Sequence, residues 1–344
     1  MSNATVNITI SANDAFYISL INLLNKTISE VVFAFILVLG NVGSILMCFV
    51  FTQPTYRSSP CAMYFLAASI SQFFTYNFAL FTRLLHFGFA VLTLNYDLWY
   101  CKIRFYLFYI FVAVPRYYII LASIDRYFAS SRNPLRRQWS SLRIAFQLII
   151  ANIIFWSLIY IQIIIFYENG NGTCTFRSGS YGMFFSIYIA VDSGILPLLL
   201  MLIFGLLTVR NIHQAKMRVV GGRTQGTGMS RKDMQLHRML ANQLILFIIL
   251  NMPNPIYLVY SSYTIDMSKS ALQNTAESFV SNMTYVLIYL GFSLTFANFT
   301  ITSDIFRREL IQLFQSKILR QTSMTRTTGS GTQVRAFNRN DGEN

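Results

Sequence analysis

The stretch at residues 101–127 reads CKIRFYLFYIFVAVPRYYIILASIDRY. Between Phe105 and Ile124 it carries a single charge, Arg116. A helix of about 20 apolar residues spans about 30 Å, the thickness of the bilayer hydrocarbon. The run opens at Cys101 and closes on the polar triplet Asp125-Arg126-Tyr127, 25 residues separating the cysteine from Arg126. One helix crossing a membrane is the simplest account of such a segment.

The rest of the chain agrees. Of its 344 residues 54% are hydrophobic and 12% charged, and the mean hydropathy is +0.47. Soluble domains carry roughly 25% charged residues, so half that share excludes a soluble enzyme, a disordered chain and a collagen-like fibre. A net charge of +14 would point a soluble protein towards nucleic acid. In so apolar a chain it points to basic loops on the cytoplasmic side of a bilayer, and no nucleic-acid partner is expected. Four cysteines are too few for a disulfide scaffold, and their spacing matches no zinc site. Neither a metal nor a cofactor is expected.

Five further runs lack Asp, Glu, Lys and Arg: 31–56, 58–82, 144–167, 239–265 and 278–303. A seventh, 178–209, is interrupted only by Asp192. The fold class is therefore an all-α membrane protein, a seven-transmembrane helix bundle over 30–303. Residues 1–29 form an extracellular N-terminus and 304–318 a short amphipathic eighth helix, in which Phe306, Leu310, Leu313 and Phe314 recur at helical spacing. Residues 319–344 are expected to form a disordered cytoplasmic tail. Segments after spans one, three, five and seven hold one, five, seven and seven Lys or Arg, 20 of the 27, which places them in the cytoplasm. The glycosylation acceptors Asn3, Asn7, Asn25 and Asn171 all fall on the other side. Residues 1–28 are polar without an apolar core, so the first span is expected to act as the signal anchor of a multi-pass plasma-membrane protein.

Seven spans, the 25-residue spacing and Asp125-Arg126-Tyr127 together resemble the rhodopsin-like class of G protein-coupled receptors. Gly40-Asn41, Trp156, Pro197 and Pro253 stand where that family has such residues, and the resemblance covers roughly residues 30–316. It implies a disulfide from Cys101 to Cys174 in the second outer loop. It also implies a G-protein site at the inner end, where Arg126 pairs with Asp125 and with an acid on span six; Asp233, 20 residues before Pro253, occupies that place. The resemblance further implies that opening span six would free Arg126 for a heterotrimeric G protein. Departures are equally plain. Span two has Gln72 where the family has an acid, Asn251 replaces the span-six aromatic, and span seven lacks proline, with Phe299 in the tyrosine place.

Charges at mid-membrane cost at least about 2.5–3.5 kcal/mol on insertion scales. Arg116 and Asp192 lie at similar depth on spans three and five, so they are expected to form an intramembrane ion pair. The Ser/Thr-rich tail (Thr322, Ser323, Thr325, Thr327, Thr328, Ser330 and Thr332) would attract arrestin once phosphorylated.

An amine receptor of this class has an Asp where this chain has Phe108, and an opsin has a span-seven lysine that is missing here. Aromatic residues crowd the outer halves of the spans: Phe81 and His86 on span two, Phe105, Phe108 and Tyr109 on span three, and Tyr257, Tyr260 and Tyr263 on span six. These are the candidate ligand pocket. Asp97, Glu168, Asp266 and Glu277 rim the outside and suit a basic peptide, the first expectation. A small apolar chemosensory ligand is the second. A membrane transporter is the alternative from another class, but Pro115, Pro197, Pro253 and Pro255 show no paired, inverted arrangement. Three scattered histidines (His86, His213, His237) offer no catalytic cluster, so no enzymatic activity is expected.

Overall fold

The structure is a computed structural model that describes residues 12–89, 91, 97–170, 173–177, 179–220, 231–264 and 267–315. Asn3, Asn7, Asn171, Asp266 and the Ser/Thr cluster of the tail lie outside the described residues. "Inner" below denotes the end bearing Arg126, and "outer" the end bearing Cys101.

Seven helical spans run through the described residues. Span one is Ala12–Phe51. Span two is Pro60–Phe74, a π-helical stretch Thr75–Leu80, and Phe81–Phe87. Span three is Leu98–Ala129, and span four is Leu142–Ile159 followed by Gln162–Phe166. Span five is Ser180–Ala190, a π-helical stretch Val191–Ile195, and Leu196–Val220. Span six is Arg231–Asn251 and Pro253–Tyr263, and span seven is Ala271–Thr302. Six of the seven, all but the second, are long and apolar enough by length and composition to cross a membrane. The chain is helical again over 304–315, where Phe306 is buried against Phe51 and Phe299.

The helix starts have local causes. Asp97 caps span three by accepting from the Trp99 N–H at 3.0 Å, and Ser141 and Ser270 accept from Ile144 and Gln273. Pro60 opens span two, where its missing N–H costs nothing. Span one begins at Ala12 rather than near Val31. No Gly or Pro interrupts residues 12–39, and Lys26 pairs with Glu30 one turn on. Residues 12–29, expected as a separate N-terminal segment, are thus mostly a continuation of the first span.

Side-chain exposure follows the bilayer. Span four buries a narrow stripe, Ala145, Asn152 and Trp156, while Phe146, Ile150, Ile154, Phe155 and Leu158 lie open. So large an apolar surface is unstable in water and needs a lipid solvent. Packing inside the bundle falls into two clusters. The larger joins Phe51, Phe65, Tyr118, Trp156, Phe247 and Phe299; the outer one joins Phe33, Tyr76, Leu80, Phe108, Tyr289 and Phe292.

Between spans four and five two strands pair antiparallel, β1 (Tyr167–Gly170) with β2 (Thr173–Phe176), placing Asn169 opposite Cys174. Cys174 is disulfide-bonded to Cys101 at the start of span three, with Cα atoms 5.8 Å apart. The hairpin is thereby fixed over the outer end of the bundle.

Candidate functional site

At the inner end Arg126 is 2% exposed. Its Nη2 and Nε donate to Asp125 Oδ2 at 2.6 and 3.1 Å, and its Nη1 donates to Asp233 Oδ1 of span six. Asp125 also accepts from Ser140 Oγ at 2.7 Å, tying the triplet to the second inner loop. A buried guanidinium requires such partners, since each unpaired ion costs several kcal/mol. Tyr127 accepts from Arg136 through its hydroxyl at 3.3 Å and packs on Phe204 of span five. The cluster opens onto an inner cavity of about 390 Å³ lined by Ser58, Pro60, Arg126, Arg137, Lys232 and Asp233. The arrangement closes spans three and six on one another through a single arginine.

Next to this lock, spans six and seven are stitched by amides and hydroxyls. Asn298 Nδ2 donates to Gln243 Oε1 at 3.0 Å, Gln243 Nε2 to Thr295 Oγ1 at 3.2 Å, and Asn242 Nδ2 to Thr302 Oγ1 at 3.0 Å. Sequence reasoning passed over this chain, because no single member carries a charge or a motif. Phe299, in the family's tyrosine place, is buried among Phe51, Phe65 and Phe306.

At mid-bundle the expected Arg116–Asp192 ion pair is not formed. Asp192 instead accepts from the hydroxyls of Tyr117 (2.8 Å) and Tyr160. The expectation compared depth alone. Adjacent helical residues point about 100° apart, and on span three it is Tyr117 that bonds Asp192. Arg116 is 3% exposed and makes no ion pair among the described residues, and its Nε has no hydrogen-bond partner. The π turn around Asp192 lets Gly194 press on Pro255 of span six, where a Cβ would overlap the proline ring.

The aromatic pocket residues separate into two groups. Phe105, Phe108 and Tyr109 meet beneath the hairpin: Phe105 lies 6.2 Å from Phe108 and 5.0 Å from Tyr167, and Tyr109 stacks on Tyr160 at 5.4 Å. His86 lies half-buried, its Nδ1 without a partner. Phe81 and Tyr263 turn away from this group. Phe81 follows the π stretch, whose extra residue rotates the face, and Tyr263, at the end of its helix, is 82% exposed. Tyr260 donates to Glu277 at 3.0 Å, and Tyr257 packs on Tyr260. The rim acids are engaged as well, Glu168 by Arg177 at 3.3 Å and Glu277 by Lys269 at 2.5 Å.

Two arginines were hidden from sequence reasoning. Arg83 stands one residue past the apolar run 58–82, and Arg104 three past Cys101, each at the edge of its span. In the structure Arg83 Nε donates to Asn282 of span seven at 3.2 Å, and its guanidinium lies 3.7 Å from the Tyr285 ring centre. Arg104 is buried and donates to the Thr82 carbonyl at 3.5 Å. Asn282 in turn donates to Asn25 and Ser29 of span one, both at 2.8 Å. Asn25, expected as a glycan acceptor, therefore lies within the span-one helix with its side chain bonded to span seven.

A family model described as 7 transmembrane receptor (rhodopsin family) matches residues 40–298. No curated protein matches the chain.

Proposed function

Since the chain belongs to the rhodopsin family of seven-transmembrane receptors, a family of receptors and not of enzymes, we propose that it couples an extracellular ligand to a heterotrimeric G protein by opening the inner ends of spans three and six. The observation that carries this reading is Arg126, buried between Asp125 and Asp233 and facing the inner cavity. Loss of the Asp233 contact leaves a guanidinium whose fork suits the carboxyl end of a Gα subunit. The outer hairpin, fixed by Cys101–Cys174, and the aromatic group beneath it provide a ligand face linked to that lock through span three.

In this reading the chain lies in the plasma membrane with its N-terminus outside, and the phosphorylated tail recruits arrestin. A peptide is the ligand class favoured, because a hairpin and a rim of charged side chains offer extended contact. The cluster of Phe105, Phe108 and Tyr109 favours a small apolar chemosensory ligand as the second reading. Family membership argues against a transporter.

The test is nucleotide exchange on a panel of Gα subunits, with receptor in nanodiscs and with or without a peptide extract. Extract-dependent exchange on one subunit class, lost in Arg126→Ala, is the expected result. Exchange that persists in Arg126→Ala would remove Arg126 from the mechanism, and no exchange on any subunit would remove G-protein coupling.

A further inference from the structure

We propose that Arg83, Arg104 and Tyr289 form the seat for a carboxylate group of the ligand, between the outer ends of spans two, three and seven. The proposal deepens the receptor reading and rests on it.

Arg83 is held for this task. Its Nε is bonded to Asn282, and its flat faces lie against Tyr285 (3.7 Å) and Phe87 (4.7 Å). Asn282 is itself fully buried, its Nδ2 donating to Asn25 and Ser29, so its oxygen is committed to Arg83. These contacts consume the Nε and the ring faces of the guanidinium. The two terminal nitrogens donate to nothing among the described residues, and no carboxylate among them lies within ion-pair distance of Arg83. An arginine oriented so completely, with its fork left over, is a receptor for a planar two-oxygen anion.

A second cation faces the same place. Arg104 bonds the carbonyl of Thr82, the neighbour of Arg83, and the two guanidiniums are close enough to repel one another. Burying like charges together is costly, and an anion between them reverses the sign of that interaction. Tyr289 adds a donor. It is 0% exposed, its hydroxyl has no partner, and it interacts electrostatically with both arginines. A buried hydroxyl left unmatched costs about 1–3 kcal/mol, which a bound carboxylate would recover. The surroundings, Phe87, Phe108 and Tyr285, are apolar and strengthen any charge pairing made there.

Two sources carry such a group, the free C-terminus of a peptide and a small aromatic acid. Thermal unfolding of the full-length receptor in nanodiscs tests the site with four probes: phenylacetate, phenylacetamide, the peptide Ala-Ala-Ala-Phe, and the same peptide amidated at its C-terminus. A ligand that binds the folded state raises Tm. The expected result is a rise with at least one free acid and none with its amide; which acid acts identifies the source. Arg104→Gln and Tyr289→Phe leave the bonds of Arg83 to Asn282 and Tyr285 intact. Tyr289→Phe should match or exceed wild-type Tm without probe, and each variant should weaken acid binding at least tenfold. Equal shifts with acid and amide, no shift with any probe, or acid shifts unchanged in both variants would each overturn the proposal. Because the readout is binding, any of these leaves the Arg126 exchange assay to judge the receptor reading separately.

Discussion

Thr75 of span two donates its hydroxyl to the carbonyl of Phe111 of span three at 2.5 Å. Phe111 is four residues before Pro115, whose ring nitrogen has no proton to give that carbonyl. The defect that proline makes in one helix is thus repaired by a side chain on its neighbour, and the repairing residue is the first of the π-helical stretch Thr75–Leu80.

Thr75→Val keeps the shape and removes the donor, so it should cost roughly 1–3 kcal/mol as an unsatisfied buried carbonyl. In a Pro115→Ala background the helix supplies its own N–H, and the same substitution should cost much less. Thermal unfolding of the four proteins checks this; equal costs in both backgrounds would separate Thr75 from Pro115.

Asp233→Asn weakens the hold of span six on Arg126 while Asp125 stays in place. The Asp233 side chain is 35% exposed, so the pair is worth about 1 kcal/mol or less. Basal nucleotide exchange should rise by up to roughly fivefold, with little loss of surface expression. A basal rate unchanged or lowered would mean that Asp233 does not hold the inactive state.

Arg116 makes no direct ion pair among the described residues, yet its charge opposes that of the buried Asp192, so Arg116→Met removes the counter-charge and should lower stability, by on the order of 1–3 kcal/mol. Exchanging the charges, Arg116→Asp with Asp192→Arg, should fail to restore expression, because the partners of Asp192 are Tyr117 and Tyr160. Surface expression with a Tm measurement checks both. Rescue by the exchange would reinstate a direct pair.

Gly194→Ala places a methyl group against the Pro255 ring. Overpacking of this kind costs about 1–3 kcal/mol and should push spans five and six apart, lowering Tm. Gly205→Ala, on the same span with open space around it, is the control and should leave Tm at or above wild type.

The bundle was legible because each span carries at most one charge over about 20 residues, and because Cys101, Asp125-Arg126-Tyr127 and Pro253 sit at recognisable intervals. What remained hidden depended on direction around a helix or on partners far away in sequence. Depth placed Arg116 beside Asp192, but azimuth gave the carboxylate to Tyr117. Arg83 fell one residue outside an apolar run, where a charge is ordinarily solvated. Only the fold reveals that Tyr285 and Asn282 of span seven enclose it. The π turns were equally invisible; the one in span two begins at the residue whose hydroxyl answers Pro115 of span three.

The π stretch in span two also bears on how such chains change over generations. Its i→i+5 bonding takes in one residue more than a continuous α-helix would, and deleting that residue would rotate everything beyond it by about 100°. Phe81, Arg83 and His86 would keep their identities and lose their addresses, Arg83 turning away from Tyr285. Length variation inside a membrane helix would then be as decisive for ligand preference as substitution at the binding face. Two descendants aligned without a gap at 75–80 could share every outer residue and still recognise different molecules.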